Sequence, residues 1–335
     1  MTEFFNVLAP DEARALLLSH LSPITDQEIL PTAEALGRVT AVALHAPQPL
    51  PAFRRSTMDG YAVRAGDTFG ASGSLPAFLD VIGEVPMGQK AAVVLETGQA
   101  ALVHTGGMIP ETADAVVQVE QTQVVGADTN DPPYEIEVFK SVAPGENVLQ
   151  VGEDVAAQER ILPAGHILRP QDLGGLLALG MTEVAVIRRP RVVILATGDE
   201  VIAPHKETGP GQIRDINSYT VAGQVIAAGG QPLLGGIIAD NLAALQEAAQ
   251  KGLAEGDMLV MSAGSSVSFR DMTAQVIADL GQPGVLFHGV ATRPGKPTIG
   301  GAAGGKPVLG LPGNPVSAMV QFDMLGRPSI QRLLG

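Results

Sequence analysis

From Arg191 onward, short runs with no polar position alternate with longer stretches that space apolar residues three and four apart. Val192-Val-Ile-Leu-Ala196, Met258-Leu-Val-Met261 and Pro307-Val-Leu-Gly-Leu311 predict strands covered on both faces. Residues 218–228, 241–253 and 271–280 predict helices, with Asp240 read as the cap of the second. The glycine-rich segment 300–305 reads as a hairpin turn between two strands. This alternation predicts a doubly wound α/β domain over residues 188–327. Ligands of such sheets bind at the carboxyl ends of the strands. The loops that begin at Thr197, Ser262 and Pro312 are therefore expected to converge on one crevice.

The earlier chain reads differently. Residues 4–21 carry a helical period with Leu8, Ala15, Leu18 and Leu21 on one side and Pro10 near the start. Residues 32–44 are rich in Ala and Leu and predict a second helix, broken by Pro47, Pro49 and Pro51. Residues 52–140 show strand-like runs near 78–85, 100–104, 115–120 and 134–139, separated by Gly, Pro, Asn and Asp, which predicts a small β domain. Residues 141–187 return to mixed structure, with a short helix from Pro170 closed by Gly180.

A chain of 335 residues exceeds one ordinary core, so two to four domains are expected. Aromatic residues make up 4% and Trp is absent, so the cores must be built from Val, Leu, Ile and Ala. The net charge of −14 and the lack of a Lys/Arg cluster argue against nucleic acid; Arg188, Arg189 and Arg191 read as a solvated strand entry. With no stretch of about 20 apolar residues and no basic, apolar leader, a cytoplasmic protein is expected. The absence of cysteine excludes disulfides and thiol nucleophiles, and the six histidines show no ligand spacing. Any soft metal handled here would take its sulfur ligands from a bound molecule.

Thr292-Arg-Pro-Gly-Lys-Pro-Thr298 and Gly310-Leu-Pro-Gly-Asn-Pro-Val-Ser-Ala318 carry the sharpest chemistry. Two stiff turns, one bearing Arg293 and Lys296 around Pro294 and Gly295, the other running through Pro312, Gly313 and Asn314 into a helix start, make a cradle for phosphate. Asn314 or Ser317 can cap that helix, and Pro315 suits its first turn. Thr197-Gly-Asp-Glu200 sets Asp199 and Glu200 at a strand end, where hard oxygens suit Mg²⁺; the rival reading is a turn capped by Asp199. Asp257 precedes the Met258 strand, and the small residues Ser262, Gly264, Ser265 and Ser266 follow it, as a phosphate-wrapping loop or as a plain connection. Asp215 and Ser218 serve a ligand or a helix cap equally well. Asp59, between Met58 and Gly60, reads locally as a surface turn.

Several of these segments resemble the MoeA/gephyrin E-domain family of molybdopterin molybdenumtransferases. The resemblance is carried by Arg293-Pro-Gly-Lys-Pro297, Leu311-Pro-Gly-Asn-Pro-Val-Ser317, Ser56-Thr-Met-Asp-Gly-Tyr-Ala62, Thr105-Gly-Gly107 with Asp114-Ala-Val-Val117, and Thr197-Gly-Asp-Glu200. It implies a MogA-like doubly wound domain, a small β domain over 52–140, and an elongated mixed α/β domain built from 1–51 and 141–187. Residues 328–335 would begin a further C-terminal β domain. It further implies molybdenum cofactor biosynthesis: molybdate enters adenylylated molybdopterin with Mg²⁺-dependent release of AMP. Asp59, Glu200, Asp257, Arg293 and Lys296 would be catalytic. Thr105, Thr197 and Gly198 would join the turn and loop residues named above in holding substrate, and Asp199, Glu200 and Asp271 the metal. The family pattern implies a homodimer whose Asp59 box reaches the crevice across the interface, working with other cofactor-synthesis proteins. Two departures stand out: Phe269 replaces an acid of the family's Ser-Gly loop, with Arg270 beside it, and Arg293 replaces a frequent Lys. A MogA/MoaB-like molybdopterin adenylyltransferase and a non-catalytic pterin-binding scaffold remain the alternatives.

Overall fold

The unbroken apolar run of Arg191–Thr197 becomes an inner strand of a six-stranded sheet, with Val192 and Ile194 wholly buried. The structure is a computed structural model that describes residues 7–126, 132–262 and 267–335. The order across this sheet is Gln231–Ile238, Arg191–Thr197, Met258–Ser262, Lys306–Leu311, Ile299–Ala303, Pro283–His288. The first four strands run parallel, and Ile299–Ala303 runs antiparallel to both of its neighbours. The sheet is therefore mixed rather than wholly parallel. Helices Asn217–Ala227, Leu242–Glu255, Val267–Asp279 and Pro315–Gln321 pack around it, so the strands have apolar cores on both faces.

Three local expectations change. The segment 300–305 is not all turn: Ile299–Ala303 is a strand, and only Gly304 and Gly305 turn the chain into Lys306–Leu311. Gly300 lies against the Phe287 ring, where a β-carbon would collide with it. Residues 32–44 hold a single 3-10 turn, Thr32–Glu34, in place of the expected helix. Their backbone bonds are taken by distant chain: Gly37, Thr40 and Ala41 donate to the carbonyls of Leu168, His166 and Ala185 at 2.8, 2.9 and 3.0 Å. Tertiary pairing overrides the helical propensity of Ala and Leu here. The first helix, Pro10–Ser19, buries Ala13 and Leu17 and leaves Ala15 exposed, so its inner face is rotated from the one expected.

The chain forms two compact units. One comprises residues 1–42, 164–173 and 183–335, and includes the antiparallel pair Gln27–Pro31 with Glu183–Ile187. The other comprises 43–163 and 174–182 and contains a second six-stranded mixed sheet. In that sheet Gly60–Val63 lies between Ala115–Gln118 and Gln99–Val103, antiparallel to both. Its core includes Val63, Leu79, Val117 and Ile136, with Tyr61 and Tyr134 edge to face at 6.5 Å.

Candidate active site

The four parallel strands end at Thr197, Ile238, Ser262 and Leu311, on one side of the larger sheet. A cleft of about 440 Å³ opens there, lined in part by Thr197, Glu200, Asp215, Asn217, Ser262, Gly313 and Asn314. Its floor is tied by side chains. Thr197 Oγ1 donates to the Ser262 carbonyl at 3.1 Å. Asn217 Nδ2 donates to Ser262 Oγ and to the Gly313 carbonyl, both at 2.9 Å. One amide thus joins the start of the helix Asn217–Ala227, the end of the strand Met258–Ser262 and the Gly313 turn, while its Oδ1 is buried and accepts no bond among the described residues. Asp215 accepts from the Ser218 backbone N–H at 3.1 Å, so it caps the helix and lines the cleft together; Ser218 is buried in the first turn.

The turn from Thr292 to Thr298 leads into Ile299, which pairs with Gly310 and His288, so it emerges at this same end of the sheet. The Val290 N–H donates to the Lys296 carbonyl and Gly289 to that of Thr298, closing the turn. Arg293 and Lys296 are exposed, and neither makes an ion pair among the described residues. Gln321, wholly buried, donates through Nε2 to Thr292 Oγ1 at 2.8 Å and more weakly to the Pro294 carbonyl at 3.5 Å. Gly295, at φ +105, packs on that amide so closely that no β-carbon fits. Asn314 caps the helix Pro315–Gln321 by accepting from the Ser317 N–H, and Pro315 opens its first turn. That helix therefore carries the Pro312–Asn314 turn at one end and braces the cationic turn at the other.

Asp199 and Glu200 stand on the turn after Thr197, and Asp199 Oδ1 accepts from the Asp240 N–H at 3.2 Å. Asp240 does not cap the following helix as expected. Asn241 does so instead, accepting from Ala244 at 3.0 Å, which leaves Asp240 on the rim with a buried, unbonded Oδ1. Burial, and then repulsion from Asp199 and Glu200, push its carboxyl above the usual range. Asp240 stands out by no motif, whereas Asn217 belongs to the Asp215-Ile-Asn-Ser218 segment, which resembles the family's Asp-x-Asn-Ser loop. Gln231–Ile238 holds Pro232 and two adjacent glycines, which hide the strand whose end would point to Asp240. Asn217 lies inside a run whose flanking Asp215 and Ser218 carry the visible signal.

Asp257 needs correction. It precedes Met258 at the amino end of its strand, away from the cleft. Burial opposes its ionisation. Even so, Arg188, at 2.9 and 3.1 Å, and the Arg191 N–H, at 2.7 Å, hold the carboxyl below the ordinary range. Asp271 is an exposed residue of the helix Val267–Asp279 and makes no ion pair among the described residues. Gly264, Ser265 and Ser266, and the side chains of Phe269 and Arg270, lie outside the described residues. In the other unit, Asp59 Oδ1 accepts from the Thr105 N–H at 2.7 Å and from Thr105 Oγ1 at 3.1 Å. The pairing of Gly60 with Val103 sets the two boxes side by side. The Thr105 backbone bond foremost, and then its hydroxyl, hold this exposed carboxyl below the usual carboxylate range.

The family of the MoeA N-terminal region (domain I and II) matches residues 8–180, and that of the probable molybdopterin binding domain matches residues 193–332. The chain belongs to the MoeA family. It is 35% identical to the molybdopterin molybdenumtransferase of Nostoc sp. over 322 residues, covering 95% of this chain and 72% of that one. The molybdopterin molybdenumtransferase of Haemophilus influenzae is 35% identical over 329 residues, 98% of this chain and 78% of its own. Among solved structures, the molybdopterin biosynthesis MoeA protein of Pyrococcus horikoshii superposes with a TM-score of 0.83 at 35% identity, over 98% of this chain and 80% of that one. MoeA membership accounts for both groups of boxes: those of the first 180 residues and those around the cleft.

Proposed function

We propose that this chain is a molybdopterin molybdenumtransferase that binds adenylylated molybdopterin and molybdate in the cleft and releases AMP as metal enters the dithiolene. What supports the reading is the meeting of Thr197, Glu200, Asp215, Ser262, Gly313 and Asn314 on one cleft, in a chain of the MoeA family. Arg293 and Lys296 supply charge to phosphate oxygens, and the turn at Pro312, Gly313 and Asn314 holds the opposite side. The two other roles weighed for the chain, adenylyltransferase and scaffold, lack such support, because the match over residues 8–180 is to the N-terminal region of MoeA itself.

The acids fit Mg²⁺. Asp240 keeps an unbonded buried oxygen and is destabilised by Asp199 and Glu200, and a cation would relieve both conditions. No three carboxylates are gathered at ligating distance among the described residues, but Mg²⁺ needs only one or two, completed by phosphate oxygens and water. Asp199, Glu200 and Asp240 would hold it, and it would neutralise charge on the breaking phosphoanhydride.

Asp59 and Thr105 belong to the reading through a homodimer in which this box completes the partner's cleft. Mixing Asp59→Asn and Glu200→Gln proteins, each inactive alone, tests both parts. Shared sites would restore about a quarter of wild-type AMP release, since random mixing leaves one intact site in half of the dimers. No recovery in a confirmed mixed dimer would place Asp59 outside the partner's site. Wild-type protein that releases no AMP from adenylylated molybdopterin with molybdate and Mg²⁺ would end the transferase reading.

A further inference from the structure

The turn that carries Thr105 is held on one side by a residue outside every motif. The Gly107 N–H donates to the His104 carbonyl at 2.8 Å, and Gly106, at φ +81, lets the chain turn between them. From the far side, the Gly106 N–H donates to the Ser56 carbonyl at 2.8 Å and the Ser56 N–H to that of Gly107 at 2.9 Å. On the near side the hold is a side chain: His104 Nε2 lies 2.9 Å from Glu84 Oε1. A carboxylate only accepts, so the imidazole donates. Glu84 closes the strand Ala77–Glu84, and His104 follows directly on Gln99–Val103, its parallel neighbour, so the two side chains meet at one end of the sheet.

This pair is poorly suited to a stabilising role. The side chains are 40% and 44% exposed, and a pair so open to water adds little to folding. Its place is more telling. His104 is the chain neighbour of Thr105, whose N–H and hydroxyl both donate to Asp59 Oδ1, at 2.7 and 3.1 Å. Asp59 Oδ2 accepts no bond among the described residues. One oxygen is thus spent on fixing the carboxylate, and the other stays open.

We propose that His104, anchored by Glu84, is a positioning residue that keeps both Thr105 donors on Asp59 Oδ1 and so presents Oδ2 to the reaction. The proposal rests on the reading of Asp59 as a residue of the transferase site. His104 acts through Thr105 and touches no reacting atom. Without the anchor, the turn from His104 to Gly107 is held by backbone bonds alone, and the Thr105 donors can drift from Oδ1. The carboxylate then loses the bonds that favour its charged form, that from the Thr105 backbone foremost.

Two measurements test this. AMP release is followed in His104→Ala, Glu84→Ala, the double variant and His104→Gln. The Asp59 carboxyl is titrated by carbon NMR in the same proteins, its signal identified by its loss in Asp59→Asn. Either Ala variant should lower kcat about five- to tenfold, with KM within about twofold and melting unchanged. The double variant should be no slower than the singles, because all three break one link. His104→Gln, which keeps a side-chain N–H donor, should recover kcat to within about twofold of wild type. The Asp59 titration should move to higher pH in both Ala variants. A bare charge effect predicts otherwise: loss of the Glu84 anion would move it lower, and loss of the His104 cation higher. Opposite shifts would therefore overturn the proposal. So would wild-type kcat in both Ala variants, losses that multiply in the double variant, or a fall in melting that accounts for the lost activity. Each of these leaves the transferase reading intact. Wild-type protein that releases no AMP would end that reading and, with it, the part of His104 in the reaction.

Discussion

Asp257 and Asp240 flank strands of the same sheet, one just before Met258–Ser262 and the other just after Gln231–Ile238. At the amino end, Asp257 receives two guanidinium bonds and a backbone bond, and Lys306 nearby donates to the carbonyls of Leu253 and Gly256 at 2.8 Å each. At the carboxyl end, Asp240 keeps a bare buried oxygen and faces two more acids. One carboxyl is held below the ordinary range and the other above it. The amino end is built to hold the sheet together, and its polar groups are satisfied from within. At the carboxyl end the acids around Asp240 lack a compensating cation among the described residues, as the proposed Mg²⁺ site requires before its ion arrives, while the exposed Arg293 and Lys296 stand at the same end for phosphate.

The largest expected effect sharpens this contrast. Glu200→Gln should lower AMP release roughly a hundredfold, with melting unchanged, if its carboxylate serves the reaction. A comparable fall in melting temperature with activity retained would move Glu200 to the structural side. Asp257→Ala should do the opposite. It leaves Arg188 partly buried with the exposed Asp26 as its remaining ion-pair partner among the described residues, costing about 2 kcal/mol in denaturant unfolding, with AMP release per folded molecule nearly unchanged.

Acidity separates the two ends next. Asp257 titrates below the unfolded value of about 3.9, so its contribution is present above that pH and is lost as pH falls through the lower folded value. Asp240 titrates above it, so the folded state holds the proton more tightly. Its contribution is fully present below about pH 4 and is lost as pH rises through the raised folded value. Asp240→Asn should therefore stabilise the protein at pH 7 relative to pH 4 while weakening Mg²⁺-dependent activity. Asp257→Asn should destabilise it at pH 7 more than at low pH. Matching pH profiles for the two variants would erase the distinction. The smallest effect belongs to Gln321→Met, which removes the brace under the cationic turn. Anion affinity should fall about fivefold, measured with pyrophosphate, and unfolding should change by under about 1 kcal/mol.

Much of the cleft was legible because its parts are local. Asn314 as cap, Pro315 in the first turn, and the strand ends at Thr197 and Ser262 all follow from short segments next to apolar runs. What escaped depended on distant chain. Residues 32–44 look helical by composition, but their backbone is claimed by residues 166, 168 and 185. Asp257 resembles an acid before a strand, and only the strand's direction and Arg188 show which end it serves. The split of roles between Asp240 and Asn241 turned on a helix start one residue later than the apolar period suggested. The length of Ile299–Ala303 was hidden because glycines that normally break strands are here required by the Phe287 ring.

The pairing of Gln27–Pro31 with Glu183–Ile187, and of Leu44–His45 with Arg160–Leu162, has a consequence for synthesis on the ribosome. The first member of each pair emerges long before its partner exists. The sheet formed by residues 60–138 is complete in sequence earlier and can fold while these two strand pairs are still half made. Until residues 160–187 arrive, the early strand presents bare backbone edges to solvent or to neighbouring nascent chains. A stalled or truncated translation product ending near residue 150 should accordingly be more prone to aggregate than one extended past residue 187, although both contain the entire inserted sheet.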